Sequence, residues 1–260
     1  MRLMTTNFAT EPSTSITASS ENVNFPASNL KHPFRSKRLR TETGVTSLSV
    51  VFDLKTAEEI DSVVLLWPKE DGIRLSNTAT ITVQANATDE WSSPAVSETL
   101  SIDNTYVLAS HFFSQPKEYR YWRVVIDDPG NPYGFVELGL VWLGKGLPID
   151  NMQNGFKFEL VDASKTTRTE FGHEFVDEYP LYASIEFSYA NMDYDQIEIL
   201  DNAFRENSVR KPVLIVVDPS EAVFSSNHFL IYGKFSPRLG IGHVNYDIMN
   251  AEGLRIVELS

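Results

Sequence analysis

Tyr119–Asp127 (YRYWRVVID) and Gly134–Leu143 (GFVELGLVWL), joined by Asp128-Pro129-Gly130-Asn131-Pro132, are the segments whose reading decides the fold. In the first, Trp122, Val124 and Ile126 fall on one side and Tyr121, Arg123 and Val125 on the other. That is the period of two imposed on a strand with one buried face. The Asp/Pro/Gly/Asn connection is turn chemistry, so two neighbouring strands are expected.

Working toward the N-terminus, Ser47–Leu54 (SLSVVFDL), Ile60–Trp67 (IDSVVLLW) and Thr78–Asn86 (TATITVQAN) read as three further strands, each bounded by turn residues. Residues 1 to about 30 are polar, interrupted by Pro12 and Pro26, and read as an extended arm or irregular edge. Toward the C-terminus the chain relaxes at Gly144-Lys145-Gly146-Leu147-Pro148, the expected domain boundary. Two domains, 1–147 and 148–260, follow from it, and a chain of 260 residues accommodates two.

In the second half, Gly155–Asp162 and Lys165–Val176 read as a hairpin turning at Asp162-Ala163-Ser164, and Pro180–Tyr189 as another strand. One helix is predicted over about 193–207. Ile197, Leu200, Ala203 and Phe204 form an apolar stripe, Asn191 or Asp193 supplies a cap, and Pro212 ends it. Val213–Val217, Phe229–Phe235 and Leu254–Leu259 are expected strands. The expected fold class is mainly β: a sandwich followed by a β-rich α+β domain with one main helix.

Composition narrows function. A net charge of −13 argues against a nucleic-acid partner, which needs a basic face. The absence of cysteine removes disulfides, thiolate nucleophiles and Cys-based zinc sites. Apolar runs such as Val63–Trp67 are too short to span a bilayer, so no membrane insertion is expected. Gly139-Leu140-Val141-Trp142-Leu143-Gly144-Lys145 has the spacing of a phosphate loop, but Gly146 stands where Ser or Thr would bind magnesium. His173-Glu174 opens like a zinc-protease motif, but Asp177 stands where the second histidine belongs. Gly240-Ile241-Gly242 lacks the third glycine of a dinucleotide loop. No catalytic residues, metal or cofactor are expected, and the chain reads as a non-enzyme.

Two features point to binding. Lys31, Arg35, Lys37, Arg38 and Arg40 place five of the 22 Lys and Arg within ten residues. They form either a contact surface for an acidic neighbouring subunit, glycan or lipid, or a loop paired with the protein's own carboxylates. Trp91 and Tyr133 fall in expected loops, where aromatic rings stack on sugar faces, anchor an interface, or cover the ends of a core.

Phe25-Pro26-Ala27-Ser28-Asn29-Leu30, Arg38-Leu39-Arg40-Thr41, Leu48–Leu54, Ile60–Leu65, Tyr121–Ile126 and Phe135–Leu138 occur in the order seen in discoidin-like (F5/8 type C, galactose-binding-like) domains. Residues 22 to 145 thus resemble that family, which implies a jelly-roll sandwich. The chain carries Lys31-His32-Pro33 where calcium- or sugar-binding members have Asp-Gly. An interaction platform is therefore expected before a lectin.

The C-terminal RKPVLIVVDP (210–219), FLIYGKF (229–235) and GLRIVEL (253–259) are similar to minor tail proteins of long-tailed phages. That resemblance implies a structural component of the tail tip or baseplate. It would form a homo-oligomeric ring of three or six copies beside tube, hub and fibre proteins, synthesised in the host cytoplasm and carried in the virion. The alternative is a carbohydrate-binding module or adhesin recognising a host surface glycan.

Overall fold

The computed structural model describes residues 1–149, 155–217, 219, 227–245 and 248–259. The chain divides into two compact units. One comprises Thr6–Gly146 and Pro219–His228, and the other Met1–Thr5, Leu147–Asp218 and Phe229–Ser260. Strand β1 (Arg2–Met4), expected within a polar arm, instead pairs antiparallel with Val213–Val216 of the second unit. Leu3 and Met4 are buried there, and burying them is the reason the segment is ordered.

The first unit is organised by two long strands. In chain order it contains β2 (Ser15–Ala18), the 3-10 turn Ala27–Lys31, β3 (Leu39–Arg40), β4 (Ser47–Leu66), β5 (Thr80–Asn86), β6 (Val96–Thr99), β7 (Ser101–Asp103), β8 (Leu108–Asp127), β9 (Glu137–Leu138) and β10 (Leu140–Gly144). The segments read as two strands, Ser47–Leu54 and Ile60–Trp67, are one strand β4 with a bulge inside it. The register with β8 is interrupted between Asp53 and Glu58 and again between Ile60 and Ser62.

The first half of β4 pairs with β2 and with Tyr121–Asp127, and the second half with β10 and Leu108–Phe112. Leu48, Val50, Phe52, Val63 and Leu65 from the two halves share one core with Trp122, Val124 and Ile126. The two halves therefore lie in facing layers, giving the expected β-sandwich. The alternation foreseen for β8 holds: Trp122, Val124 and Ile126 are buried, and Tyr121, Arg123 and Val125 are partly exposed. Val63–Trp67 is apolar without alternation because both of its faces are buried.

The bulge is pinned electrostatically. Lys55 adopts φ 73°, a region costly for a side chain with Cβ. Asp53 holds it there by accepting from the Lys55 amide (2.9 Å) and from Lys55 Nζ (2.8 Å). Asp53 also receives Nε (2.7 Å) and Nη2 (3.1 Å) of Arg120 on β8.

The phosphate-loop spacing is explained by packing. Gly139 precedes β10 where a Cβ would lie 2.2 Å from the Leu66 carbonyl oxygen, so only glycine permits that approach.

The second unit adds to β1 the strands β11 (Lys157–Val161), β14 (Tyr182–Met192), β15 (Val213–Val216), β16 (Leu230–Phe235), β17 (Gly240–Asn245) and β18 (Ile248–Glu258). They form a sheet of order β1-β15-β16-β18-β14-β11, with β17 beside β18. Between β11 and β14, β12 (Lys165–Arg168) and β13 (Glu174–Asp177) form a separate two-stranded hairpin. The expected pairing of Gly155–Asp162 with Lys165–Val176 is thus corrected. β11 pairs with β14, and the second segment folds on itself at a Thr169–His173 turn with Gly172 at φ 82°.

Helix α1 (Tyr194–Asn207) matches the predicted span, and the Asp193 side chain caps it by accepting from the Gln196 amide at 2.8 Å. Ile197 and Leu200 are buried against the sheet, and Phe204 meets Phe235.

The hydrogen bonds from Arg120, followed by those from Lys55, hold the Asp53 carboxyl far below the usual carboxylate range. A depressed folded-state value gives stability that is complete above the unfolded value near 4 and lost as pH falls below it. Chemical denaturation from pH 6 to pH 2 is expected to show this loss in the wild type. Arg120→Met is expected to flatten the acid limb while leaving the limb above pH 5 parallel to wild type.

Candidate functional site

Strands β3 and β9 bring a dense polar cluster together. Their register sets Arg40 opposite Glu137. Glu137 is buried, and Arg40 Nε donates to its Oε1 at 2.6 Å while Arg38 Nη1 donates to Oε2 at 3.0 Å. The core residue Trp67 fixes the strand from below, its Nε1 donating to the Glu137 carbonyl at 2.8 Å. Asn29, from the Pro26–Asn29 segment, donates to the Arg38 carbonyl at 2.9 Å and sets where Arg38 starts. The Arg40 guanidinium lies between two rings, 4.2 Å from the centre of Phe25 and 4.3 Å from that of Phe135. Buried charge is tolerated here because both partners are hydrogen-bonded and the cation is also covered by aromatic faces.

Above this base the cluster opens to solvent. Arg38 Nη2 donates to Asp71 Oδ2 at 2.5 Å, and Arg74 Nη2 to Asp71 Oδ1 at 3.0 Å. Burial opposes the Arg38 charge, but hydrogen bonds to Asp71 and Glu137 outweigh it and hold the guanidinium above its ordinary value. The Arg38 hydrogen bond keeps the Asp71 carboxyl below its ordinary value.

The loop bearing Asp71 and Arg74 is itself tied down. Buried Asp128 accepts from the Ser76 amide (2.8 Å) and hydroxyl, and Asn131 Nδ2 donates to the Arg74 carbonyl at 3.1 Å. Asn131 Oδ1 also receives the Tyr133 amide at 2.8 Å, and the Tyr133 ring, 52% exposed, tilts toward Phe135 with ring centres 6.3 Å apart, Phe135 being one of the two rings over Arg40. The result is a fixed guanidinium–carboxylate–guanidinium edge whose loop is tied through Asn131 to the segment bearing the exposed Tyr133.

The residues singled out in the sequence separate in space. Trp91 sits in the β5–β6 turn beyond Asn86, which pairs with Tyr121, whereas Tyr133 follows Asp127 at the far end of β8. About 20 Å of strand divides those attachment points. The structure therefore does not bring Trp91 and Tyr133 together. One face of the Trp91 ring is covered by the Arg123 guanidinium at 4.4 Å, and its Nε1 donates to Asp89 at 2.7 Å.

Of the basic cluster, Arg38 and Arg40 pair with Glu137 and Asp71, and Arg35 is buried. The Lys31 ammonium donates to the Glu11 and Thr14 carbonyls, each at 2.5 Å, and its pKa is lowered, chiefly by burial. Lys37 alone of the five is exposed. Asp71, Arg74 and Glu137 carry no local sequence signal, since Glu137 lies 97 residues from Arg40.

Among the described residues, no group of three His, Asp or Glu side chains is arranged to hold a metal ion. No helix among them is long and apolar enough to cross a membrane. The His173-Glu174 pair lies on the exposed hairpin, and Gly240-Ile241-Gly242 opens strand β17.

No protein-family model matches the chain, and no curated protein matches it. Solved structures do. A family 32 carbohydrate-binding module of NanJ from C. perfringens, solved with galactose, is 15% identical with a TM-score of 0.43, covering 56% of this chain and 100% of that one. Chitosan-binding module 1 of a chitosanase/glucanase from Paenibacillus sp. IK-5 is 21% identical with a TM-score of 0.41, over 54% of this chain and 99% of that one. The family 32 module of AlyQ, solved with 4,5-unsaturated mannuronic acid, is 22% identical with a TM-score of 0.39, over 50% of this chain and 92% of that one. These matches lend no support to a tail-tip role.

Replacing Glu137 by Gln keeps its shape but removes the charge that Arg38 and Arg40 share. Breaking a buried, hydrogen-bonded ion pair from one side is expected to destabilise the protein by about 2–4 kcal/mol, the lower part of the range reflecting the partial exposure of both arginines. Urea denaturation of wild type and Glu137→Gln checks this.

Proposed function

We propose that the sandwich unit is a non-catalytic carbohydrate-recognition module. Its ligand lies across Arg38, Asp71, Arg74 and Tyr133. The observation that carries this reading is the Asp71 carboxylate held between two guanidinium groups, on a loop that Asn131 ties to the segment of the exposed Tyr133. A sugar presents adjacent hydroxyls, each able to donate and accept, and an apolar C–H face. Fixed N–H donors alternating with carboxylate acceptors match the hydroxyls, and a phenol ring matches the face.

The cluster's charges are largely neutralised from within, by Glu137 below and Asp71 above, so it suits a neutral polyol better than a strong anion. Because Asp128, Asn131 and Glu137 already hold the loops, little ordering is left to be done on binding. Trp91, covered on one face and at the other end of the sheet, lies outside this site.

A glycan array followed by titration calorimetry on the full chain tests the reading. Binding is expected, and Tyr133→Ala and Asp71→Asn are each expected to weaken it about tenfold or more, while Trp91→Ala leaves it unchanged; tenfold corresponds to about 1.4 kcal/mol. Absence of any glycan ligand, or loss of binding in Trp91→Ala alone, overturns it. The tail-tip expectation gains ground in the first case if the chain also assembles with phage tube or hub proteins.

A further inference from the structure

The second unit carries a surface that glycan recognition does not use. Among the described residues, β12 and β13 pair with each other and with no other strand. The hairpin prolongs the β11–β14 ribbon, to which it is joined by hydrogen bonds between Ser164 Oγ and the Tyr179 backbone. Every residue from 165 to 181 is exposed, including Phe171 (91%), Phe175 (62%) and Val176 (52%). Large apolar side chains on a two-stranded ribbon with both edges open mark a surface that another chain covers.

The charges say which chain. Strand β12 carries Lys165 and Arg168 and no acid, whereas β13 carries Glu174 and Asp177 and no base. Within the hairpin the register sets Lys165 opposite Asp177 and Arg168 opposite Glu174. A twofold antiparallel pairing of β13 with β13 would set acid against acid, and one of β12 with β12 would set base against base. Like charges directly across strands are destabilising, so both twofold arrangements are selected against.

Placing β13 of one copy beside β12 of the next continues the antiparallel order and repeats the register already present in each hairpin. Phe175 then lies across from Thr167 of the neighbour, and Val176 from its Thr166. This contact is heterologous, and such contacts propagate until they close a ring. We propose that the Lys165–Asp177 hairpin joins copies of this chain head to tail by strand addition, β13 of one protomer pairing with β12 of the next.

Native mass spectrometry of the full chain reads the outcome. The wild type is expected as a species of three or more copies. The double variants Lys165→Glu/Arg168→Glu and Glu174→Lys/Asp177→Lys make the two edges of one hairpin alike, and each alone is expected to be monomeric with unchanged near-UV circular dichroism. Mixed together they present opposite edges again and are expected to assemble in alternation, which shows that each still folds. A wild type that stays monomeric at all concentrations overturns the proposal, as do a two-copy species as the end state, full assembly of either variant alone, and failure of the mixture to assemble. Glycan binding by the sandwich unit is read separately and is independent of this result.

Discussion

The first unit rests on the pairing of β4 with β8, two twenty-residue strands that bend over one core. A regular ladder of that length would make a single twisted sheet with one face in water. The register breaks at Asp53–Glu58 and Ile60–Ser62 let each strand turn and serve both layers. The turn requires a left-handed backbone at Lys55, and the carboxylate of Asp53, bridging Lys55 and Arg120, holds both strands at that point. Interior packing then follows, because Phe52 and Trp122 from one half face Val63 and Leu65 from the other.

The same long strands position the proposed recognition surface. Their layer ends at Ser47, Thr80 and Asp127, and from there the connecting segments depart. Asp128, one residue beyond β8, ties down the loop that carries Asp71 and Arg74, and Glu137, at the start of the returning strand, gathers Arg38 and Arg40. Two buried carboxylates thus convert flexible connections into a fixed polar edge. The burial of Glu137 is sustained by hydrogen bonds from Arg38 and Arg40, and that of Asp128 by the Ser76 amide and hydroxyl.

Much of the fold was legible because it is written in local periodicity. The alternation of Tyr121–Ile126, the apolar stripe of α1 and its Asp193 cap each follow from residues a few positions apart. The bend in β4 was not legible, since the polar stretch around Lys55 reads equally well as a loop between two strands. The split of Lys165–Val176 into two strands turned on Gly172, whose positive φ no pattern of hydrophobicity announces. β6, β7 and β17 are short or polar and carry little signal. The site was half legible. The basic residues at 31–40 and Tyr133 stood out by type, but their meaning depended on Glu137, Asp71 and Asn131, which only the closed fold brings near.

The two proposed surfaces have complementary physical demands. A shallow, exposed edge whose charges are already satisfied can offer a sugar only a few hydrogen bonds and one ring face, so a single copy binds weakly. Its virtue is rigidity, which costs nothing further when a second and third copy engage the same glycan-bearing surface. Linked copies convert later binding events into intramolecular ones, and avidity can exceed the single-site affinity by about 10²–10⁴ without any new contact. The proposed hairpin contact would supply such linkage by repeating the register found within each hairpin and rejecting twofold pairing by charge. Segregating acid and base onto opposite edges of one ribbon is therefore a way to permit ordered addition while blocking the indiscriminate edge pairing that exposed strands invite.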